Sequence, residues 1–174
     1  MVGGAGSLSA RLDDGSFWIT DTGKPRGELT KEDFLRITGR GENDAAVNEA
    51  VMHRALYETF PNTRAVYHIH SIEANLVTEW RDSGGAPLPA LEMLKGFGLD
   101  EQEPQVTVPI FENHLRVAYI AKEIRERFKA TSPEVPGFLI RHHGLTVWAE
   151  STERARTYIE LFDYVFKYMI ARGR

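Results

Sequence analysis

Apolar and polar positions along this chain repeat with two periods, one suited to strands and one to helices, and the switches between them mark out its elements. "SLSARL" and "SFWIT", separated by Asp13-Asp14-Gly15, read as two strands joined by a turn, because Asp-Gly supplies the positive φ that a tight hairpin needs. "TGKPRGELTKEDFLRI" carries Gly23, Pro25 and Gly27 and is expected to be a loop entering a short turn or strand. Val47, Val51, Leu56 and Phe60 are apolar positions of a long helix from about Asp44 to Phe60, which Pro61 stops. "RAVYHIHS" is β-rich and of strand length. Ser71 is placed to cap a helix running to about Arg81, and "DSGGAPLP" is a loop by composition. "VTVPIF" predicts a short strand, "HLRVAYIAKEIRERF" a helix, and "GFLIRHHGLTVWAE" two strands with Gly144 at the bend between them. The last helix, about Ser151 to Arg172, lines up Ala155, Tyr158, Ile159, Phe162, Val165, Phe166 and Met169 on one face, as a core or subunit-interface stripe does. Strands mixed with helices give an α/β class, and the opening hairpin argues against an all-parallel sheet.

Composition narrows this picture. A chain of 174 residues is expected to form one domain, 1–174, with a sizeable core. The 42% hydrophobic and 26% charged content is that of a globular protein rather than a disordered one. The net charge is -4 and no basic block forms a patch for phosphate backbones, so nucleic acid is not an expected partner. There is no cysteine, so any metal must be held by nitrogen and oxygen, which fits a cytoplasmic protein. No apolar run approaches the ~20 residues of a membrane span, and "MVGGAGSLSARL" lacks the features of a signal peptide, so a soluble chain is expected.

The candidate chemistry lies in the histidines. On a strand, residues i and i+2 share a face with Cα atoms ~6.6 Å apart, so His68 and His70 can converge on one cation. "RHHG" adds His142 and His143 on a second expected strand, where neighbouring residues face opposite ways and one of the two faces the site. Three histidines with an open position suit a catalytic cation. Such chemistry also needs a proton carrier, and the candidate carboxylates are Glu49 in the first long helix, Glu73 after the H-x-H, and Glu92 in "LEMLKGF". The apolar neighbours of Glu92 are expected to desolvate it and raise its pKa; the competing reading pairs it with Lys95 on a helix turn.

"AVYHIHS", "ALEMLKGFG", "VPIFEN" and "FLIRHHGLTVWAES", in this order and at these separations, resemble the class II aldolase/adducin family, and within it the branch that dehydrates methylthioribulose 1-phosphate in methionine salvage. The resemblance implies a class II aldolase-like three-layer α/β fold, with a mixed, mainly antiparallel sheet between helices and a short N-terminus. It makes His68, His70 and His143 ligands of Zn2+, His143 because it directly precedes Gly144, and Glu92 the general acid/base that moves protons while zinc holds an enolate. The substrate class is a ketose 1-phosphate. Glu49 matches the helix carboxylate of related sugar-phosphate aldolases and is secondary. Thr22, Gly23 and Lys24 match the loop that binds phosphate, with Ser7 standing where the family has asparagine and Val47-Asn48 replacing its "SA". A cytoplasmic homotetramer with sites between subunits is implied, for which Tyr158, Phe162, Phe166 and Tyr168 are candidate contacts. The alternatives are a class II sugar-phosphate aldolase and a non-catalytic, adducin-like interaction module.

Overall fold

A computed structural model describes residues 6–20, 28–38, 48–81 and 84–173. In chain order these form β1 (Ser7–Arg11), β2 (Phe17–Thr20), β3 (Phe34–Ile37), α1 (Ala50–Thr59), β4 (Ala65–Ile69), α2 (Ile72–Glu79), β5 (Ala86–Pro87), β6 (Thr107–Val108), β7 (Ile110–Phe111), α3 (Val117–Ala130), β8 (Gly137–Ile140), β9 (Gly144–Ala149) and α4 (Thr152–Ala171). The expected hairpin is present. Gly15 takes φ +82°, and the Asp14 carboxylate accepts hydrogen bonds from the Ser16 N–H at 2.9 Å and hydroxyl at 2.6 Å, closing the turn between β1 and β2. Among the described residues the first long helix begins at Ala50; Asp44 and Val47 lie outside them.

The seven-stranded sheet runs β3-β2-β1-β4-β9-β8-β7, with β7 and β8 parallel and the other pairings antiparallel. It is the middle of three layers. On one side Leu139, Leu145 and Val147 pack with Phe162, Val165 and Phe166 of α4, and Ala74 and Val77 of α2 join the same cluster. On the other, Val66, Phe138, Ile140 and Trp148 pack with Leu56 of α1 and Ile120 and Ile124 of α3. Each such buried apolar side chain contributes roughly 1.5–3 kcal/mol.

Two expectations are corrected. "VTVPIF" is not one strand: Pro109, which has no N–H to give a ladder, splits it into β6, paired with β5, and β7, paired with β8. His142 and His143 are not on a strand but in the turn between β8 and β9. The α4 stripe is a buried face as expected: Tyr158, Phe162 and Phe166 pack against this chain's own sheet, which leaves Tyr168, 38% exposed, as the surface member of the candidate subunit contacts, beside Tyr164 at 50%. Ser71 caps α2 as expected, its hydroxyl accepting the Ala74 N–H at 3.0 Å.

Candidate metal centre

The pleat of β4 sorts its side chains by parity. Ala65, Tyr67 and Ile69 join the α2/α4 core, while Val66 and His68 face the α1/α3 layer. Cross-strand register then sets Ser7 of β1, His68 of β4 and Thr146 of β9 side by side, a polar row at one end of an otherwise apolar face. All three are fully buried. His70 follows immediately after β4 and shares the face of His68.

The third imidazole comes from the β8–β9 turn. The His143 N–H donates to the Ile140 carbonyl at 3.1 Å, and His142, between them, takes φ +51°. That conformation sends the two histidines apart. His142 points outward, its Nδ1 lying 3.8 Å from Glu79 Oε1 with both side chains more than half exposed. His143 turns inward. Its Nε2 lies 3.4 Å from Nε2 of His68, which in turn lies 3.1 Å from Nε2 of His70. The rings stand edge to face, with centroids 4.6–5.0 Å apart and interplanar angles of 70–84°. Ligand atoms of these three residues all lie within 4.8 Å of one another.

Neutral imidazole has one donor and one acceptor nitrogen, so three Nε2 atoms facing one point cannot satisfy each other; a cation bound by their lone pairs can satisfy all of them. The donor set therefore fits a borderline cation such as zinc. Electrostatics agrees: burial, then the neighbouring His143 and His70, hold His68 well below the usual imidazole range, and burial followed by His70 lowers His143. Both are neutral, ligand-ready bases at pH 7. With Nε2 reserved for a cation, Nδ1–H of His68 donates to Thr146 Oγ1 at 2.9 Å, which fixes the tautomer.

Behind the histidines a buried polar chain ties β1 to α1. His53 accepts and donates between Ser7 Oγ (2.8 Å) and Ser9 Oγ (2.7 Å), and Ser9 Oγ continues to the Tyr57 hydroxyl at 2.7 Å. Burial alone lowers the His53 pKa to about 3, so it is neutral. The Ser7 hydroxyl, expected at a phosphate, is fully buried and engaged with His53 instead. Gly144 opens β9 where β4 ends: a Cβ there would lie 2.1 Å from the Ile69 carbonyl oxygen, so only glycine lets the two strands close beside the histidines.

The three candidate carboxylates differ in setting. Glu92 begins a 3-10 turn over Glu92–Phe97 whose Leu94 and Phe97 face the core, with Gly96 pressed on Leu161. This leaves Glu92 outside, its side chain 82% exposed and paired with Lys95 at 2.8 Å. The expected desolvation of Glu92 is absent within one chain; the i,i+3 ion pair is present. Glu49 sits at the N-terminus of α1, its Oε2 buried without a hydrogen-bond partner among the described residues. Glu73, in the first turn of α2, lines a cavity of about 660 Å³ that adjoins His70 and is bounded also by Ile72, Asn75, Ile159 and Lys167. That volume suits a small-molecule ligand. Thr22, Gly23, Lys24 and Val47 lie outside the described residues.

Thr146, His53 and Ser9 were not singled out from the sequence. Their signal is a polar residue in an apolar run, such as the threonine of "GLTVWA". No helix among the described residues is long and apolar enough to cross a membrane.

Comparison with known proteins places this geometry. The chain is 45% identical over 178 residues to a methylthioribulose-1-phosphate dehydratase of Microcystis aeruginosa, covering 98% of this chain and 87% of that one. It is 35% identical to the protein of the same name in Leptospira biflexa, covering 97% and 88%. The crystal structure of L-fuculose-1-phosphate aldolase from Thermus thermophilus shares the fold, with a TM-score of 0.74 at 23% identity over 99% of this chain and 85% of that one. The profile of the Class II Aldolase and Adducin N-terminal domain matches residues 1–170, and the chain belongs to that family.

Proposed function

We propose that this protein is a zinc-dependent lyase that removes water from methylthioribulose 1-phosphate, the reaction named in its relatives from Microcystis and Leptospira. The observation that carries the reading is the convergence of three imidazole Nε2 atoms at the end of β4 and the β8–β9 turn. His68, His70 and His143 hold the cation. When bound, it supplies Lewis-acid polarisation of the substrate's ketone oxygen, which acidifies the neighbouring C–H.

The chain's own residues move the protons. Glu92 takes the proton from the carbon next to the ketone and returns one to the hydroxyl leaving the following carbon. The net loss is one water, and the enol that remains ketonises to a 2,3-diketo-5-methylthiopentyl 1-phosphate. Thr146 keeps His68 in the ligating tautomer through its hydroxyl. Thr22, Gly23 and Lys24 bind the phosphate in this reading, and the cavity beside His70 gives the substrate room next to the histidines. Because Glu92 is open to solvent in one chain, its acid/base role calls for water to be excluded by substrate and by a neighbouring copy, so this reading includes a homotetramer with shared sites. A cysteine-free chain of this kind is suited to the cytoplasm.

Zinc-loaded protein incubated with methylthioribulose 1-phosphate should yield the diketone. Clean cleavage to dihydroxyacetone phosphate would establish an aldolase instead, and no turnover together with no bound metal would leave a non-catalytic module.

A further inference from the structure

The three histidines are not held alike. His68 has Thr146 on its second ring nitrogen, 2.9 Å away. His143 has no such partner: its Nδ1 is buried and unbonded among the described residues. Its ring direction must therefore come from the backbone of the β8–β9 turn. That turn contains the left-handed His142, and a non-glycine residue keeps such a conformation only where its surroundings over-determine it.

We propose that Arg141 is the positioning residue that supplies this constraint, resting on the reading of the three histidines as a cation site. Its side chain is largely buried, 19% exposed. Nη1 donates to the carbonyls of Thr78 and, at 3.1 Å, Arg81, and Nε donates to Glu112 Oε1 at 3.1 Å. Its backbone N–H donates to the Phe111 carbonyl at 2.9 Å, and the next N–H, of His142, donates to Thr78 Oγ1 at 3.3 Å. The two residues preceding His143 are thus tied to the end of α2 and to β7.

The choice of arginine follows from helix chemistry. The last carbonyls of a helix have no partners within it and carry partial negative charge, so a forked cation satisfies several at once and has the favourable sign. Lysine, a point donor on a flexible stem, cannot hold two carbonyls and a carboxylate together. The same helix begins beside the second ligand: His70 is followed by Ser71, the N-cap of α2. One eight-residue helix therefore spans from the His70 end to the Arg141 clamp, and Arg141 links two of the three ligands through it.

The test is a Co2+ titration followed by visible d–d absorption, with far-UV circular dichroism to establish folding. Wild type should bind Co2+ with the intense band of a low-coordinate nitrogen site. Arg141→Met should raise the Co2+ Kd by about 10–100-fold and weaken or shift the band, as loss of an outer-shell support does. Arg141→Lys should recover part of the loss. A folded Arg141→Met protein with the wild-type Kd and band overturns the proposal. If Arg141→Met does not fold, Arg141→Gln, which keeps a planar donor, replaces it under the same criterion. A wild-type protein that binds no Co2+, indistinguishable from His143→Ala, overturns the cation reading and the proposal with it.

Discussion

The two halves of the proposed chemistry are built differently. The histidine cluster draws His68 and His70 from the end of β4 and His143 from a turn pinned by Arg141, with burial, a threonine and a close strand contact around them. The carboxylate Glu92 stands on a short 3-10 turn, 82% exposed and leaning on Lys95. A cation grip needs several donors fixed to within fractions of an ångström, which only a rigid scaffold gives. An acid/base carboxylate needs a dry environment when substrate is present, and the fold of one chain does not supply it at Glu92.

The largest expected effect tests the first half. His68→Ala should abolish stoichiometric zinc, measured by elemental analysis, and lower turnover by about a thousandfold or more. If zinc stays bound, the buried cluster is not the grip and the comparison collapses. Glu92→Gln should separate the halves: zinc content unchanged, kcat down by roughly 10²–10⁴. Full turnover in that variant would transfer the proton role to Glu49 or Glu73.

Acid should act on the buried half first. His53 binds a proton near its ordinary 6.5 when unfolded but only near about 3 when folded. Its stabilising contribution is thus complete above pH 6.5 and is lost as pH falls from there towards 3. The slope is about 1.4 kcal/mol per pH unit, so roughly 2 kcal/mol should go between pH 7 and 5. His68, lowered in the same direction, adds to the loss in metal-free protein. Urea midpoints of metal-free protein at pH 7, 6 and 5 should show this trend, and His53→Gln should flatten it. The smallest effect concerns the turn: His142→Gly should leave metal affinity intact and raise stability by up to about 1 kcal/mol through relief of the left-handed strain, read as a shift in Tm.

Much of the grip was legible because strand parity is a short-range rule. H-x-H alone places His68 and His70 on one face, and "SLSARL…SFWIT" carries its own turn residue. The assumed strand left open which of His142 and His143 turns inward, because the sequence does not display the left-handed kink at His142; the choice of His143 came from the resemblance, through the glycine that follows it. The setting of Glu92 was half legible: its spacing to Lys95 announced the ion pair on a helical turn, but the expected desolvation failed because Leu94 and Phe97 point one way and Glu92 the other, which depends on the 3-10 winding and on Gly96 meeting Leu161. The His53 chain joins residues more than 40 positions apart, and nothing local announces such pairings. The α4 stripe was read correctly as a buried face, yet which surface covers it is a tertiary fact.

Gly144 limits what can be changed around the histidines. The residue touches no ligand atom and takes no part in proton transfer, yet the smallest added carbon would drive β9 away from the Ile69 carbonyl and part His68 from His143. A residue with no side chain thus sets how near β9 can come to β4, and the spacing of His68 and His143 depends on the room it leaves.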